Sequence, residues 1–190
     1  MIVKIPTREE AFQLFKTYNS SESLTRHALA VEGVMRHFAE KSGEDAEMWG
    51  IVGLVHDIDY EKYPDEHCQK CREIFLEHNW PESYIRAVVS HGWGICSDVK
   101  PETRLEKTLY AVDELTGLIN SAVLVRPSRS VLDIKPKSVK KKWKDKSFAA
   151  GVDRSIIDKG AEMLEMDRTE LISETIMGMR TVADSIGLKG

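Results

Sequence analysis

The sequence predicts an all-α protein, and three observations carry this prediction. Apolar residues recur at the spacing of a helix with one buried face along most of the chain. Capping residues, prolines and glycines interrupt this pattern at intervals that match ordinary helix lengths. Sustained apolar–polar alternation is absent, and the run from Ala122 to Val125 is the one short apolar stretch that could be mistaken for a strand. We therefore expect a helical bundle without a sheet.

Three helices are predicted in the first third of the chain. A capping box formed by Thr7 and Glu10 opens a short helix that ends near residue 18. The second helix begins near Ser21, carries an apolar stripe at helical spacing and ends by Gly43. The third helix, over about 45–58, is apolar on almost every side, which is typical of a helix in the middle of a bundle.

Five further helices are predicted downstream. Pro81 stands in the first turn of the second of these, where a missing backbone N–H costs nothing. A lysine-rich segment over 131–146 separates the last two helices from the others. In chain order, the five are expected to end near Asn79, at Gly92–Gly94, near Val125, near Leu164 and near Ile186.

Composition limits the classes of function. A chain of 190 residues fits one domain, so we expect a single domain over 1–190. A net charge of −4 and a pI near 5.9 argue against nucleic-acid binding. No apolar run approaches the roughly 20 residues that span a bilayer, and the N-terminus lacks the apolar stretch of a secretory signal. Three cysteines are too few for a disulfide framework and favour a reducing, cytoplasmic location.

Histidines and aspartates stand at the ends and on the inner faces of the predicted helices. His27 flanks the apolar stripe of the second helix. Asp113 lies about 80° from Leu105 on the sixth helix, whereas its neighbour Glu114 lies about 180° away. We therefore expect Asp113 to face inward and Glu114 to face water. The remaining candidates stand at helix ends: His56, Asp57, His67 and His91.

The charges around Asp57 indicate a bound cation. Asp57 stands at the C-terminal end of a nearly all-apolar helix, where the macrodipole already presents roughly −0.5 of a charge. Asp59 adds to the negative charge, and placing the inward Asp113 nearby is costly unless a cation is bound. Neutral imidazoles would supply further ligands without adding repulsion.

The order His, His-Asp, His, His, Asp resembles the six-ligand, two-metal form of the HD superfamily of metal-dependent phosphohydrolases. The resemblance implies a helical HD core over about 20–125, with 126–190 as a C-terminal helical extension. It implies a first metal held by His27, His56, Asp57 and Asp113, and a second held by His67 and His91 with Asp57 bridging. The motifs that carry it are Arg26-His27-Ala28-Leu29, Leu54-Val55-His56-Asp57-Ile58, Pro64-Asp65-Glu66-His67, Ser90-His91-Gly92 and Ala111-Val112-Asp113-Glu114.

Two positions depart from the common HD pattern. Asp59 replaces the glycine that usually ends the His-Asp-Ile-Gly run, and Tyr60 replaces the lysine that often follows. The glycine–tyrosine–proline motif of the cyclic-dinucleotide branch is absent as well. These departures argue against cyclic-dinucleotide hydrolysis, and the chain most resembles a bacterial and archaeal subgroup described only as predicted HD hydrolases.

The resemblance implies hydrolysis of a phosphate ester in a small soluble molecule, such as a nucleotide. Two divalent cations about 4 Å apart would activate a bridging hydroxide and clamp the phosphoryl oxygens. Asp57 would act in catalysis by holding both cations and fixing the nucleophile. Manganese, iron, nickel, cobalt, zinc and magnesium all stay open. The same six ligands also serve mixed-valent di-iron oxygenases, and a nucleotide-sensing module is a third alternative.

The lysine-rich segment has two interpretations. Seven lysines lie over 135–146, with Asp145 as the one acid. They form either a solvated face or a wall for a substrate phosphate. Trp93 similarly either stacks on a nucleobase or packs in the core. The candidate substrate contacts are Arg126, Lys141, Lys142 and Arg154.

The other histidines and the cysteines are interpreted as structural. His37 and His78 lie toward polar helix ends, where a partial positive charge is welcome. Cys68 and Cys71 have zinc or redox spacing, but no second Cys/His pair follows at zinc-finger distance. We expect the cysteine pair to lie inside the fourth helix as packing or surface residues, with Cys71 on the same face as His67.

Overall fold

Residues 3–190 are described by the computed structural model, and they form nine α-helices and one short 3₁₀ turn. These residues contain no sheet, and an isolated bridge joins Trp93 to Ser97. The fold class is all-α, as predicted. The helices are α1 (Arg8–Tyr18), α2 (Glu22–Ser42), α3 (Ala46–Val55), α4 (Gln69–Glu77), α5 (Glu82–Ser90), α6 (Arg104–Leu124), α7 (Pro136–Trp143), α8 (Arg154–Met163) and α9 (Arg168–Thr181), and the 3₁₀ turn is Pro64–Glu66.

The first two helices begin where their capping residues predict. The Thr7 hydroxyl accepts from the backbone N–H of Glu10, and the Glu10 carboxylate accepts from that of Thr7, which completes the capping box. Ser21 caps α2 at its start, and Gly43 follows its end in the left-handed conformation with a φ of 72°. These caps fix the ends of the helix that carries His27.

The segment after α3 is less helical than predicted. α3 ends at Val55 and not near Ile58, and residues 56–62 form consecutive turns. α4 begins only at Gln69, so His67 lies between the 3₁₀ turn and the helix. Three of the candidate ligands therefore stand on irregular backbone between helices.

α2 is the central helix of the bundle. It packs against α3, α9 and α6, and most of its residues from Ala28 to Ala39 are buried. α3 is buried continuously from Trp49 to Val55, as its apolar sequence predicts. The apolar core extends from α1 to Leu188, so the C-terminal helices share it with the rest of the chain. Within residues 3–190, no helix combines the length and apolarity needed to cross a bilayer.

α8 packs closely against α6 beside Asp113. A β-carbon placed at Gly160 of α8 would lie 2.4 Å from the β-carbon of Ala111 in α6. Glycine at this position therefore allows the two helices to approach more closely than any other residue would. As a result, α8 covers a face of α6 that the residue pattern of α6 alone predicts to be exposed to solvent.

The lysine-rich segment contains α7, a helix that the sequence analysis does not assign. Val139 of α7 is buried, while most of the lysines around it are exposed. The Arg180 guanidinium of α9 donates to the carbonyls of Val131 and Ile134, at 3.1 and 3.0 Å. These bonds attach the segment before α7 to the last helix.

Candidate metal centre

The structure brings all six candidate ligands together in one cluster. His27 comes from the body of α2 and Asp113 from the body of α6. The other four follow the ends of shorter elements: His56 and Asp57 after α3, His67 after the 3₁₀ turn, and His91 after α5.

The first set of ligand atoms is His27 Nε2, His56 Nε2, Asp57 Oδ2 and Asp113 Oδ1. His27 Nε2 lies 3.0 Å from Asp113 Oδ1, 3.2 Å from His56 Nε2 and 3.9 Å from Asp57 Oδ2. His56 Nε2 lies 3.3 Å from Asp113 Oδ1 and 3.4 Å from Asp57 Oδ2. Ligands that share a cation at bond lengths of roughly 2.0–2.2 Å lie about 3.0–3.6 Å apart. Four of these five distances fall in that range, and the separation of His27 Nε2 from Asp57 Oδ2 is longer, so the first set could hold one metal ion with unequal ligand angles.

The second set is His67 Nε2, His91 Nε2 and Asp57 Oδ1. The two imidazole nitrogens lie 3.2 Å apart. His67 Nε2 is 3.6 Å and His91 Nε2 is 3.5 Å from Asp57 Oδ1. The two oxygens of the Asp57 carboxylate thus face different sets of nitrogens, and both sets lie within reach of this one carboxylate.

Hydrogen bonds from Nδ1 of His56 and of His91 to backbone carbonyls orient Nε2 of each ring toward the other candidate ligands. His56 Nδ1 lies 2.8 Å from the carbonyl oxygen of Gly53, and His91 Nδ1 lies 2.5 Å from that of Val88. A carbonyl can only accept, so each Nδ1 carries the proton and each Nε2 of a neutral ring presents a lone pair. Two lone pairs that face each other repel unless a cation lies between them.

Asp59 orients His67 in the same way. Its carboxylate is fully buried, and Oδ1 accepts from His67 Nδ1 at 2.7 Å while Oδ2 accepts from the backbone N–H of Cys71 at 2.8 Å. From the sequence, Asp59 is expected only to add negative charge, and it departs from the HD pattern. The structure instead places it behind the second set as a positioning residue.

The ionisable groups of the centre shift one another's pKa values. Burial would raise the pKa of Asp57, but His56 and then His91 outweigh it and hold that pKa well below its usual range. Burial would lower the pKa of His56, but the carboxylates of Asp57 and Asp113 raise it well above its usual value. The centre therefore stabilises positive charge between two carboxylates, whether a proton or a metal ion supplies that charge.

Glu114 is half-buried, so the prediction that it faces water holds only in part. Its side chain lines the same cavity as Asp113 and accepts from the backbone N–H of Asp153 at 3.2 Å. Burial, and then the charge of Asp113, raises the pKa of Glu114 to about 7. The cause is the packing of α8 on α6. This contact between two helices cannot be predicted from the angular position of Glu114 on α6 alone.

Two cavities meet at the centre. The smaller, about 310 Å³, lies over the ligands and is walled by Tyr60, Ile95, Cys96, Tyr110, Glu114 and Ile156. The larger, about 600 Å³, shares His27 and Gly117 with it and continues between α2, α6 and the C-terminal residues. Arg26 lines the larger cavity, and no lysine or other arginine of residues 3–190 is among the residues that line either one.

The structure does not bring the four candidate substrate contacts to these cavities. Arg126 pairs with Asp133 at 2.9 Å, and Lys142 stacks on the Phe148 ring at 4.6 Å. Lys141 is exposed to solvent. The guanidinium of Arg154 donates to four backbone carbonyls, those of Trp143, Asp145, Phe148 and Val152.

Trp93 and His37 both contact polar neighbours. Trp93 is half-buried, and the ammonium groups of Lys100 and Lys159 lie 5.5 and 5.1 Å from its ring centroid. His37 bonds the carboxylate of Glu174 through Nε2 at 2.7 Å.

The prediction for the cysteines is right for Cys71, which lies inside α4 and is buried, and wrong for Cys68. Cys68 precedes α4 with a φ of 68°. Its Sγ lies 2.9 Å from that of Cys96, a residue the sequence analysis does not single out. The hydrogen bond from Cys68, opposed by burial and supported by the nearby imidazoles, lowers the pKa of Cys96 to about 6.

No protein-family model matches the chain, and no solved structure gives a significant match. The class of protein is therefore defined by the fold and the site: an all-α protein with two groups of side chains that could each hold a metal ion. One group is His27, His56 and Asp57, and the other is His67, His91 and the adjacent Cys68.

Proposed function

We propose that the chain is a metal-dependent phosphohydrolase of the HD type that acts on a small phosphate ester, such as a nucleotide, through two metal ions. The observation that carries the proposal is the Asp57 carboxylate, whose two oxygens face two separate sets of ligand nitrogens. The motif order of the sequence supports it, because each motif supplies the ligand that the HD resemblance implies.

The side chains would hold the cations and fix the positions of the reacting groups. Two divalent cations would lower the pKa of a water between them and neutralise phosphoryl oxygens. Asp57 would hold both cations at a fixed separation, and Asp113 would complete the first set. With two carboxylates against two divalent cations, roughly two positive charges remain to attract an anionic substrate.

The two cavities support a small substrate with an organic group. The 310 Å³ space over the ligands has room for a phosphate group, and the neighbouring 600 Å³ cavity has room for the rest of the molecule. The guanidinium of Arg26 pairs with the carboxylate of Glu22 at the same cavity, so it would offer that part of the substrate hydrogen-bond donors with a partly neutralised charge.

The test is metal content and phosphatase activity of protein purified without chelators. We expect two divalent metal ions per chain and hydrolysis of p-nitrophenyl phosphate or of a nucleotide in a panel of phosphate esters. The Asp57→Asn variant should lose most of its bound metal and most of its phosphatase activity. The Asp65→Asn variant, changed at an exposed carboxylate of the 3₁₀ turn, should behave as wild type. Full activity in the Asp57→Asn variant would refute the proposal.

A di-iron oxygenase is the second candidate, and the wall of the smaller cavity favours it. Of the residues that line this cavity, none is a lysine or arginine, and Glu114 and Tyr110 face the space where a phosphate would sit. An uncharged substrate would suit such a wall better than a phosphate. Iron as the bound metal, with turnover that consumes oxygen, would decide for this candidate.

A further inference from the structure

Two cysteine side chains lie directly beside the second set of ligands. Cys68 Sγ and Cys96 Sγ are 2.9 Å apart, less than about 1 Å beyond the bond length of a disulfide. Cys68 directly follows His67, and Cys96 lies on the loop that follows His91. The pair therefore joins the two chain segments that supply the imidazoles of the second set.

The backbone around the pair leaves space for both sulfur atoms. A β-carbon at Gly92 would lie 2.4 Å from each of the two Sγ atoms, so glycine is needed for the sulfurs to approach one another here. Cys68 adopts a φ of 68° with a ψ of −30°, a conformation that is unfavourable for any residue other than glycine. The fold thus holds Cys68 in a strained conformation that directs its sulfur toward Cys96.

The two cysteine side chains differ in solvent exposure, as is needed for an oxidant to react with one sulfur before the other. Cys68 is only 1% exposed, whereas Cys96 is half-buried and lines the cavity over the ligands. A small oxidant in that cavity reaches Cys96 first, and Cys68 is placed to react next. Cys71 is directed elsewhere, since its thiol donates to the carbonyl of Cys68 at 3.1 Å.

We propose that Cys68 and Cys96 form a reversible disulfide when a peroxide enters the cavity, and that this disulfide weakens the second cation site. The Cys96 thiolate attacks one peroxide oxygen, the O–O bond breaks, and hydroxide leaves, so that Cys96 becomes a sulfenic acid. The Cys68 sulfur then attacks the Cys96 sulfur, the S–O bond breaks, and the hydroxyl leaves with the Cys68 proton as water. The two sulfurs lose two electrons in total, and the peroxide gains them.

The disulfide acts on the second set through position. Drawing the sulfurs together moves Cys68, and with it the backbone of His67, whose ring is held by Asp59 at 2.7 Å. The formation of the disulfide is independent of the proposed function, whereas its effect on a second cation rests on it.

The experiment uses the full chain loaded with manganese under reducing conditions and then treated with hydrogen peroxide. Peptide mass spectrometry should find the Cys68–Cys96 cross-link, and metal analysis should show a fall from two manganese ions per chain to about one. Dithiothreitol should restore both. Cys71→Ser should respond as wild type, whereas Cys96→Ser should form no cross-link and should keep its metal content under peroxide.

Three results would overturn the inference. Peroxide could leave both thiols reduced or oxidise Cys96 without a cross-link, or the cross-link could form with metal content unchanged. A reduced wild-type protein that binds one ion would overturn the dinuclear proposal and, with it, the regulatory effect. The metal content before peroxide therefore separates the failure of the proposed function from the failure of the switch.

Discussion

Replacing Asp59 with asparagine should weaken the second cation site about 10- to 100-fold and leave the first site unchanged. Asp59 touches none of the ligand atoms of the first set. Its two carboxylate oxygens accept from His67 Nδ1 at 2.7 Å and from the backbone N–H of Cys71 at 2.8 Å. The substitution removes one negative oxygen and changes almost no volume, so it tests the orientation of His67 and little else.

The magnitude follows from the two hydrogen bonds. Both partners of Asp59 are donors, but asparagine offers one oxygen and one NH₂ group. If the oxygen stays on the Cys71 N–H, the NH₂ group faces His67 and favours the tautomer whose proton is on Nε2, which cannot bind a metal. If the oxygen must turn to His67 when the metal binds, the buried Cys71 N–H loses its partner on binding, at about 1–3 kcal/mol. Either outcome lowers the affinity of the second site by about one to two powers of ten.

The assay is a chelator competition that measures the two metal affinities separately. Asp65→Asn is the matched control, since Asp65 is an exposed aspartate in the turn just before His67. We expect one site of unchanged affinity and one weakened site in Asp59→Asn, and two unchanged sites in the control. Wild-type affinity at both sites of Asp59→Asn would refute the role assigned to this carboxylate.

The remaining predictions concern a ligand, a buried charge and pH. His67→Ala should retain about one metal ion per chain, because the first set keeps its four ligand atoms; two retained ions would contradict the assignment. Glu32→Gln should lower the free energy of unfolding in urea by about 1–3 kcal/mol, because Glu32 is 4% exposed and accepts from two arginines; the exposed Glu47→Gln should cost less than about 1 kcal/mol. The rise in melting temperature on adding manganese should grow as pH increases above 6.5, the ordinary pKa of histidine. The raised pKa of His56 stabilises the metal-free fold at low pH and that contribution is lost as pH rises, whereas metal binding requires the neutral ring. An increase that does not depend on pH would contradict this coupling.

Much of the fold could be predicted from local signals. The capping box of Thr7 and the left-handed Gly43 act over a few residues, so their effect is visible in the sequence. The all-apolar run of α3 likewise predicts its own burial. The predicted end of α3 is too late, because the sequence pattern of a helix continues through His56 and Asp57, while the turns that follow depend on contacts with other segments. α7 cannot be recognised from its sequence, because its many lysines outweigh its one buried apolar residue, Val139.

The candidate site could be predicted only in part, for a similar reason. The six ligands have recognisable motifs, but Glu114, Asp59 and Cys96 gain their positions from contacts between distant segments. Glu114 is covered by α8, Asp59 meets His67 across the turns after α3, and Cys96 meets Cys68 across 28 residues. A cysteine count without a spacing rule offers no signal for the last pair. The role of Asp59 could have been predicted only by asking which buried acceptor binds Nδ1 of His67 and so fixes the tautomer of that ring.

The most direct test of the dinuclear centre is a crystal structure of protein purified without chelators, with anomalous scattering recorded at the absorption edge of the metal found by elemental analysis. The account predicts two peaks about 4 Å apart, one among His27, His56, Asp57 and Asp113 and the other among His67, His91 and Asp57. A single peak, or two peaks that are not bridged by the Asp57 carboxylate, would contradict it.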